Sequence, residues 1–222
     1  MNKKWWMHLL WILAAAVLGL LVSAVFAGIF QLPRGWFVAV YALLVTLFFY
    51  GYVRWSGMDV WAQVKRRWYW GLVGGVIAGI FVVNNVLSQP SSPMPQGLQL
   101  AFDLVWLGLV YGLLDALFLS VLPIFAIWQA FSGLGWTGSW PKRLVVGIVA
   151  LVASLLVTAA YHWGYPEYSG SKLLAPVVGN GVMSLAYLLT TNPLGAILSH
   201  IAMHVSAVLH GINTAVQLPP HY

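Results

Sequence analysis

The residues best suited to chemistry are two histidines, His200 and His204, in the last apolar segment. They are four residues apart, so on a helix both imidazoles project from the same face. Neutral imidazole binds zinc, iron, copper and nickel, and this spacing suits a bidentate metal site. The pair alone is a weak signal, because a hydrogen bond to a neighbouring helix would explain either histidine.

Two further groups come from other apolar segments, namely Asp115 and His162. Together with His200 and His204 they offer three imidazoles and one carboxylate, a set that can hold a divalent ion such as zinc or iron. A metal so held would lower the pKa of a bound water. An alternative interpretation is that all four groups only form hydrogen bonds between helices.

Other ionisable residues fit this set less well. His210 lies six residues beyond His204, and Asp103 lies twelve residues before Asp115. On a helix of 3.6 residues per turn, each is rotated about 120° from its neighbour. We therefore expect neither to join the site.

The elements that position these residues must be membrane helices. Apolar residues make up 61% of the 222 residues and charged residues only 6%, against about a quarter charged in soluble domains. Each crossing needs about 20 residues, so the length suits a polytopic all-α bundle of about seven spans in a single domain, residues 1–222. The absence of cysteine excludes thiolate chemistry.

Seven apolar segments follow one another along the chain: residues 5–30, 36–55, 71–87, 98–131, 144–163, 172–190 and 192–213. Residues 56–70 combine basic residues with tryptophans, which is typical of a helix at the membrane surface. The fourth segment is too long for one straight crossing and contains Pro123. We expect it to be tilted or kinked, and broken near the proline.

The net charge of +6 is better explained by topology than by nucleic-acid binding. With the N-terminus in the cytoplasm, eight basic residues fall inside: Lys3, Lys4, Arg54, Lys65, Arg66, Arg67, Lys142 and Arg143. Only Arg34 and Lys172 fall outside. The positive-inside rule thus predicts an N-in, C-out protein of the cell (plasma or inner) membrane, in contact with lipid.

Residues 98–211 carry three stretches similar to motifs of the CPBP group, the CAAX-protease-like intramembrane proteases. These are Gly112-Leu-Leu-Asp115, Thr158-Ala-Ala-Tyr-His162 and the run from Asn192 to His204. The resemblance implies a four-span core over residues 98–213, preceded by three spans over residues 1–97. It also implies that Asp115 and His162 activate water and that the third motif stabilises an oxyanion.

The chain departs from the family pattern at four positions. Ala116, Ser120, Thr158 and His204 stand where the family has glutamate, arginine, phenylalanine and asparagine. Exchanging the amide at His204 for an imidazole favours a metal site over an oxyanion hole.

We therefore expect a divergent, metal-dependent intramembrane hydrolase that acts on a membrane-embedded peptide or lipid-like substrate. The alternative is a non-catalytic scaffold, chaperone or subunit of a membrane protein complex. A transporter ranks last, because the sequence has neither the internal repeats nor the paired broken helices of that class.

Overall fold

The computed structural model describes residues 5–219 and is a bundle of α-helices. Lys3 and Lys4, which contribute to the predicted orientation, lie outside this range. Eight helices follow in chain order: α1 Trp5–Ile29, α2 Arg34–Ser56, α3 Val60–Lys65, α4 Trp68–Leu87, α5 Gly97–Gly133, α6 Trp140–Trp163, α7 Gly170–Thr190 and α8 Leu194–Gly211. All but α3 are long and apolar enough to cross a membrane, which confirms the predicted all-α, seven-span architecture.

The short helix α3 lies where the sequence predicted a surface helix, although it is shorter than residues 56–70. Asp59 starts it by accepting a hydrogen bond from the Ala62 amide at 2.9 Å. The left-handed backbone of Arg67 separates α3 from α4. Lys65 lies 4.9 Å above the ring of Trp61, a basic and aromatic pairing that suits the headgroup region.

Helix α5 is the central element of the bundle. In the most apolar 18-residue stretch of α5, 83% of the residues are buried, whereas the corresponding stretches of the other six spans are 22–44% buried. The outer spans turn large apolar side chains toward lipid. The second half of α5 is surrounded by protein, whereas its first half also exposes large apolar residues such as Leu98 and Phe102. A group at the middle of α5 therefore lies away from both the lipid and the membrane surfaces.

The predicted break at Pro123 does not occur, since α5 continues to Gly133. Two stretches of wider π-helical winding, Leu104–Val110 and Ala116–Val121, precede the proline instead. Such winding relaxes the backbone where a proline removes a hydrogen bond. It also brackets the segment Tyr111–Asp115, which carries the predicted carboxylate.

Glycines let α4 pack closely against α7 and α8. A Cβ atom on Gly75 would lie 2.9 Å from the Leu198 Cβ, and one on Gly74 would lie 2.6 Å from the Thr190 Cγ2. Both distances are shorter than real Cβ contacts, so larger residues would push these helices apart. Close approach through small residues is the usual basis of helix association in membranes.

The turn between α7 and α8 is joined to the segment after α3 by Asn192. Its side-chain amide donates to the carbonyls of Val64 and Arg66 at 2.9 and 2.5 Å, and its Oδ1 accepts from the Leu194 amide at 2.9 Å. The last helix begins at Leu194, two residues after the start of the predicted segment 192–213. The side-chain amide of Asn192 holds that helix to the membrane-surface segment.

The alternation of the seven spans leads to a prediction about orientation. Lys65 and Lys142 lie at one end of the bundle, whereas Gln96 and Glu167 lie at the other. We expect reporter fusions at Lys65 and Lys142 to be active in the cytoplasm and fusions at Gln96 and Glu167 to be active outside. The opposite result at any two of these loops would contradict the N-in, C-out orientation.

Candidate functional site

Asp115 lies at the midpoint of α5 and is 4% exposed. Its Oδ1 accepts a hydrogen bond of 2.8 Å from the hydroxyl of Tyr41 on α2. The other oxygen, Oδ2, faces α8, where it is 3.4 Å from His204 Nε2 and 3.9 Å from His200 Nδ1. One carboxylate oxygen is thus fixed by a donor, and the other is shared by two imidazoles.

These three residues form the predicted metal-binding cluster. Each offers a ligand atom, and the three atoms lie within 4.8 Å of one another. Both histidines are 1% exposed, and their rings are nearly parallel, with centroids 6.4 Å apart. The structure therefore brings Asp115, His200 and His204 together as the sequence predicted.

Helix α8 can approach Asp115 because α5 has a glycine one turn before it. A Cβ atom on Gly112 would lie 3.0 Å from the Ile201 Cα and 3.2 Å from the His204 Cδ2. The neighbouring atoms belong to backbone and to a ring held between helices, so they have little freedom to move. The missing side chain at Gly112 sets the distance between the carboxylate and the histidines.

A cluster of hydroxyl groups fixes the orientation of the Asn180 amide on α7. Ser154 and Thr158 donate their hydroxyl protons to backbone carbonyls at 2.6 and 2.9 Å. Their oxygens can then only accept, and they do so from Asn180 Nδ2 at 3.0 and 2.6 Å. Asn180 Oδ1 consequently points the other way, toward His200.

This orientation determines which nitrogen of His200 carries the proton. Asn180 Oδ1 is 3.1 Å from His200 Nε2, and since an amide oxygen can only accept, Nε2 must donate. In the neutral ring Nδ1 then holds a lone pair. That lone pair has no hydrogen-bond partner and stands 3.9 Å from Asp115 Oδ2.

Two electron-rich atoms therefore face each other in the interior of the bundle. A carboxylate oxygen and an imidazole lone pair repel unless a proton or a cation lies between them, and burial strengthens this repulsion relative to an exposed pair. His204 also favours a proton or a cation at this place, because both of its ring nitrogens are buried without a hydrogen-bond partner. The cluster has the electrostatics of a cation site.

His162 does not belong to the close cluster, so the predicted four-residue shell is reduced to three. It lies one residue before the end of α6, whereas Asp115 lies at the middle of α5. Its Nδ1 is 2.9 Å from the Thr158 carbonyl and must donate there. In the neutral ring Nε2 keeps a lone pair that can accept a proton.

The cluster and His162 line the same cavity, of about 600 Å³. This volume lies within the range of small-molecule sites. The cavity is enclosed by α4, α5, α6, α7, α8 and the C-terminal segment, and its walls are mostly apolar. Asp115, His162, His200 and His204 thus line one cavity, with His162 outside the close cluster.

The C-terminal segment after α8 closes the end of the cavity at the membrane surface. Thr214 donates to the Pro90 carbonyl at 2.6 Å, and Tyr168 donates to the Val216 carbonyl at 2.7 Å. Burial raises the pKa of the Tyr168 hydroxyl, which keeps it protonated as a donor. Arg34 donates to the Pro219 carbonyl at 2.9 Å.

Three other ionisable residues of the spans have partners away from the site, as the helical positions of Asp103 and His210 predicted. Asp103 accepts two hydrogen bonds of 3.0 Å from Gln99, and His210 is 2.8 Å from the Gln89 carbonyl. His8 is 3.1 Å from the Tyr52 hydroxyl.

Sequence reasoning missed Tyr41 as the partner of Asp115 and missed the hydroxyl cluster around Asn180. Spacing offered a signal for the cluster, since Ser154 and Thr158, like Asn180 and Ser184, are four residues apart on a helix. Tyr41 had no such signal, because one tyrosine among ten gives no indication of its partner.

Comparison with known proteins finds no matching family model, no matching curated protein and no matching solved structure. The resemblance to the CAAX-protease-like group therefore stays a hypothesis that rests on the three short stretches of sequence. The chemistry of the site has to be argued from its own geometry.

The close contact at Gly112 leads to a prediction about stability. We expect Gly112→Val to destabilise the protein by about 1–3 kcal/mol, because the added side chain overpacks the contact between α5 and α8. Thermal unfolding in detergent measures this effect. Gly147→Val on α6 is the matched control, since a Cβ there meets nothing within 4 Å. Equal unfolding temperatures for the two variants would contradict the close packing.

Proposed function

We propose that this protein is a metal-dependent hydrolase of the membrane interior, with Asp115, His200 and His204 as ligands of a divalent ion such as zinc or iron. The observation that carries the proposal is the unpaired lone pair of His200 Nδ1, fixed by Asn180 and aimed at Asp115 Oδ2. Imidazole nitrogens and a carboxylate oxygen are typical ligands of such ions.

The distances support a bound ion better than direct hydrogen bonds. Ligand atoms of a tetrahedral zinc site lie roughly 3.3 Å apart when the bonds are about 2.0–2.1 Å. The 3.4 Å from Asp115 Oδ2 to His204 Nε2 fits this spacing, yet it is long for a charge-assisted hydrogen bond. The 3.9 Å to His200 Nδ1 would shorten by about half an ångström on binding.

Two of the proposed ligands have hydrogen-bond partners on the side away from the ion, as metal ligands in proteins usually do. Asn180 Oδ1 accepts from the outer nitrogen of His200, and Tyr41 donates to the outer oxygen of Asp115. Such partners fix the ring orientation and the lone pair that faces the ion. A carboxylate at the bilayer centre costs about 2.5–3.5 kcal/mol on insertion scales, and a bound cation offsets that cost.

Three protein ligands leave a fourth tetrahedral position for water, which is the arrangement of catalytic rather than structural zinc sites. The ion would supply Lewis acidity and a water of lowered pKa. The water oxygen forms a bond to the carbonyl carbon of an ester or amide while the bond from that carbon to the leaving group breaks. His162 Nε2 takes the proton of the water and returns it to the leaving group.

Metal content gives the first test of this function. We expect the detergent-purified protein to bind about one zinc ion per chain, and His204→Asn to lose it, since removing one ligand of three leaves two. Elemental analysis after dialysis measures the ratio. The matched control is His210→Asn on the same helix, which should keep the ion because His210 contacts a loop carbonyl instead.

Two results would contradict the metal site. One is wild-type protein that holds no ion at any added concentration of zinc or iron. The other is retention of the ion by His204→Asn.

His162 is expected to act in proton transfer without holding the ion. His162→Gln should lower the hydrolysis rate of an ester substrate by about 10²–10⁴-fold, which is the usual contribution of a general base. The metal content should stay that of wild type, because His162 is not one of the three ligands. A variant that loses the ion and the activity together would show that His162 is a ligand, and unchanged activity would remove it from the mechanism.

The non-catalytic scaffold, chaperone or complex subunit remains the alternative function. It is favoured by the hydrogen bond from Tyr41 to Asp115, which links α2 to α5 and would serve a purely structural bundle. A metal-free wild-type protein that folds normally would support this alternative.

A further inference from the structure

The cavity extends from the metal-ligand cluster to the lipid-facing surface between α4 and α7. Phe81 on α4, and Leu174 and Val178 on α7, line the cavity and are 54%, 64% and 59% exposed. Both helices are long and apolar enough to cross the membrane, so these exposed side chains face lipid. We define the opening between these three residues as the mouth of the cavity.

The two helices touch near the end that carries Lys65, where the close contact of Gly74 with Thr190 and Ala186 holds α4 and α7 together. Phe81 lies seven residues, about 10 Å, further along α4, and there the cavity lies between it and Val178 of α7. The mouth thus lies beyond this contact, toward the end of the bundle at which the C-terminal segment lies.

At the end of the bundle where the C-terminal segment lies, the walls of the cavity are polar and uncharged. Asn85, Gln89 and Gln217 contribute side-chain amides, and Thr214 contributes a hydroxyl. Gln217 Oε1 is buried and has no hydrogen-bond partner. A bound ligand that donates a hydrogen bond to this oxygen would remove the cost of leaving it unsatisfied. The residues that line the cavity include no lysine or arginine, and an anionic headgroup would be buried there without a countercharge.

We propose that the substrate is an uncharged single-chain lipid ester or amide with hydroxyl groups on its head, such as a monoacylglycerol. This inference rests on the proposed hydrolase and names its substrate class. The hydroxyl groups of the head donate to Gln217 Oε1, and the acyl chain leaves through the mouth into the bilayer. A cavity of about 600 Å³ is the size of a drug-like ligand site, which suits one chain segment and a small head.

The reaction at this substrate balances without a further reactant. Water adds its oxygen to the acyl carbon, the bond from that carbon to the head oxygen of the ester or the head nitrogen of the amide breaks, and one proton passes through His162 to the departing head. The products are a fatty acid and a polyol from the ester, or a fatty acid and a hydroxylated amine from the amide.

Photolabelling tests the substrate class without relying on turnover. The full chain is placed in nanodiscs of neutral lipid with a monoacylglycerol that carries a diazirine on its acyl chain, and labelled peptides are identified by mass spectrometry. We expect labels on α4 around Phe81 and on α7 around Val178. A monoacylglycerol competitor should remove them, whereas a lysophosphatidylglycerol of equal chain length should not.

A pair of matched variants locates the entry path. Val178→Trp fills the mouth and should reduce labelling about tenfold, equivalent to 1.4 kcal/mol of binding. Val76→Trp is the control, because Val76 on α4 has the same 59% exposure but does not line the cavity. Equal labelling of the two variants would overturn the proposed entry path.

The remaining outcomes each decide one claim. If lysophosphatidylglycerol competes as well as the monoacylglycerol does, the cavity does not select an uncharged head. If an apolar transmembrane peptide competes and neither lipid does, the substrate is a peptide and the lipid proposal is wrong. Labelling needs no metal, so specific labels on a protein that binds neither zinc nor iron would contradict the metal-dependent hydrolase and leave the lipid site standing. Zinc binding without specific labels would contradict the lipid and leave the metal site.

Discussion

The structure depends on one electrostatic constraint: the facing lone pairs of Asp115 Oδ2 and His200 Nδ1 at the centre of an apolar bundle. At a protein surface such groups would be solvated, but here both are buried, so a cation or a proton between them is needed to offset their repulsion. The hydroxyl and amide cluster that ends on Asn180 holds His200 in the tautomer that creates this situation. A hydrogen bond donated by the neutral His200 ring to the Asp115 carboxylate would need the opposite tautomer.

The packing of the helices follows from placing that group at the midpoint of α5. The most apolar stretch of α5 is 83% buried, and the spans packed around it expose their outer faces to lipid. Close contact at Gly112 brings α8 to the carboxylate, and π-helical winding on both sides of Tyr111–Asp115 adjusts the register of α5. The same arrangement leaves a space between α4 and α7, where the cavity reaches the bilayer.

Features that depend on composition and helical spacing could be predicted from the sequence. Features that depend on contacts between helices could not. The spans follow from hydropathy, and His200 and His204 share a face because they are four residues apart. The distance of His162 from the cluster depends on its position at the end of α6, which spacing alone does not reveal. The partnership of Tyr41 with Asp115 and the continuity of α5 through Pro123 likewise depend on tertiary packing.

The position of a bound ion tests the central claim most directly. Crystals of the zinc-loaded, detergent-purified protein, measured at the zinc absorption edge, would show the ion as an anomalous difference peak. A peak about 2.0–2.2 Å from Asp115 Oδ2, His200 Nδ1 and His204 Nε2 is the predicted result. A peak at other residues, or well-ordered side chains at this site with no peak between them, would contradict it.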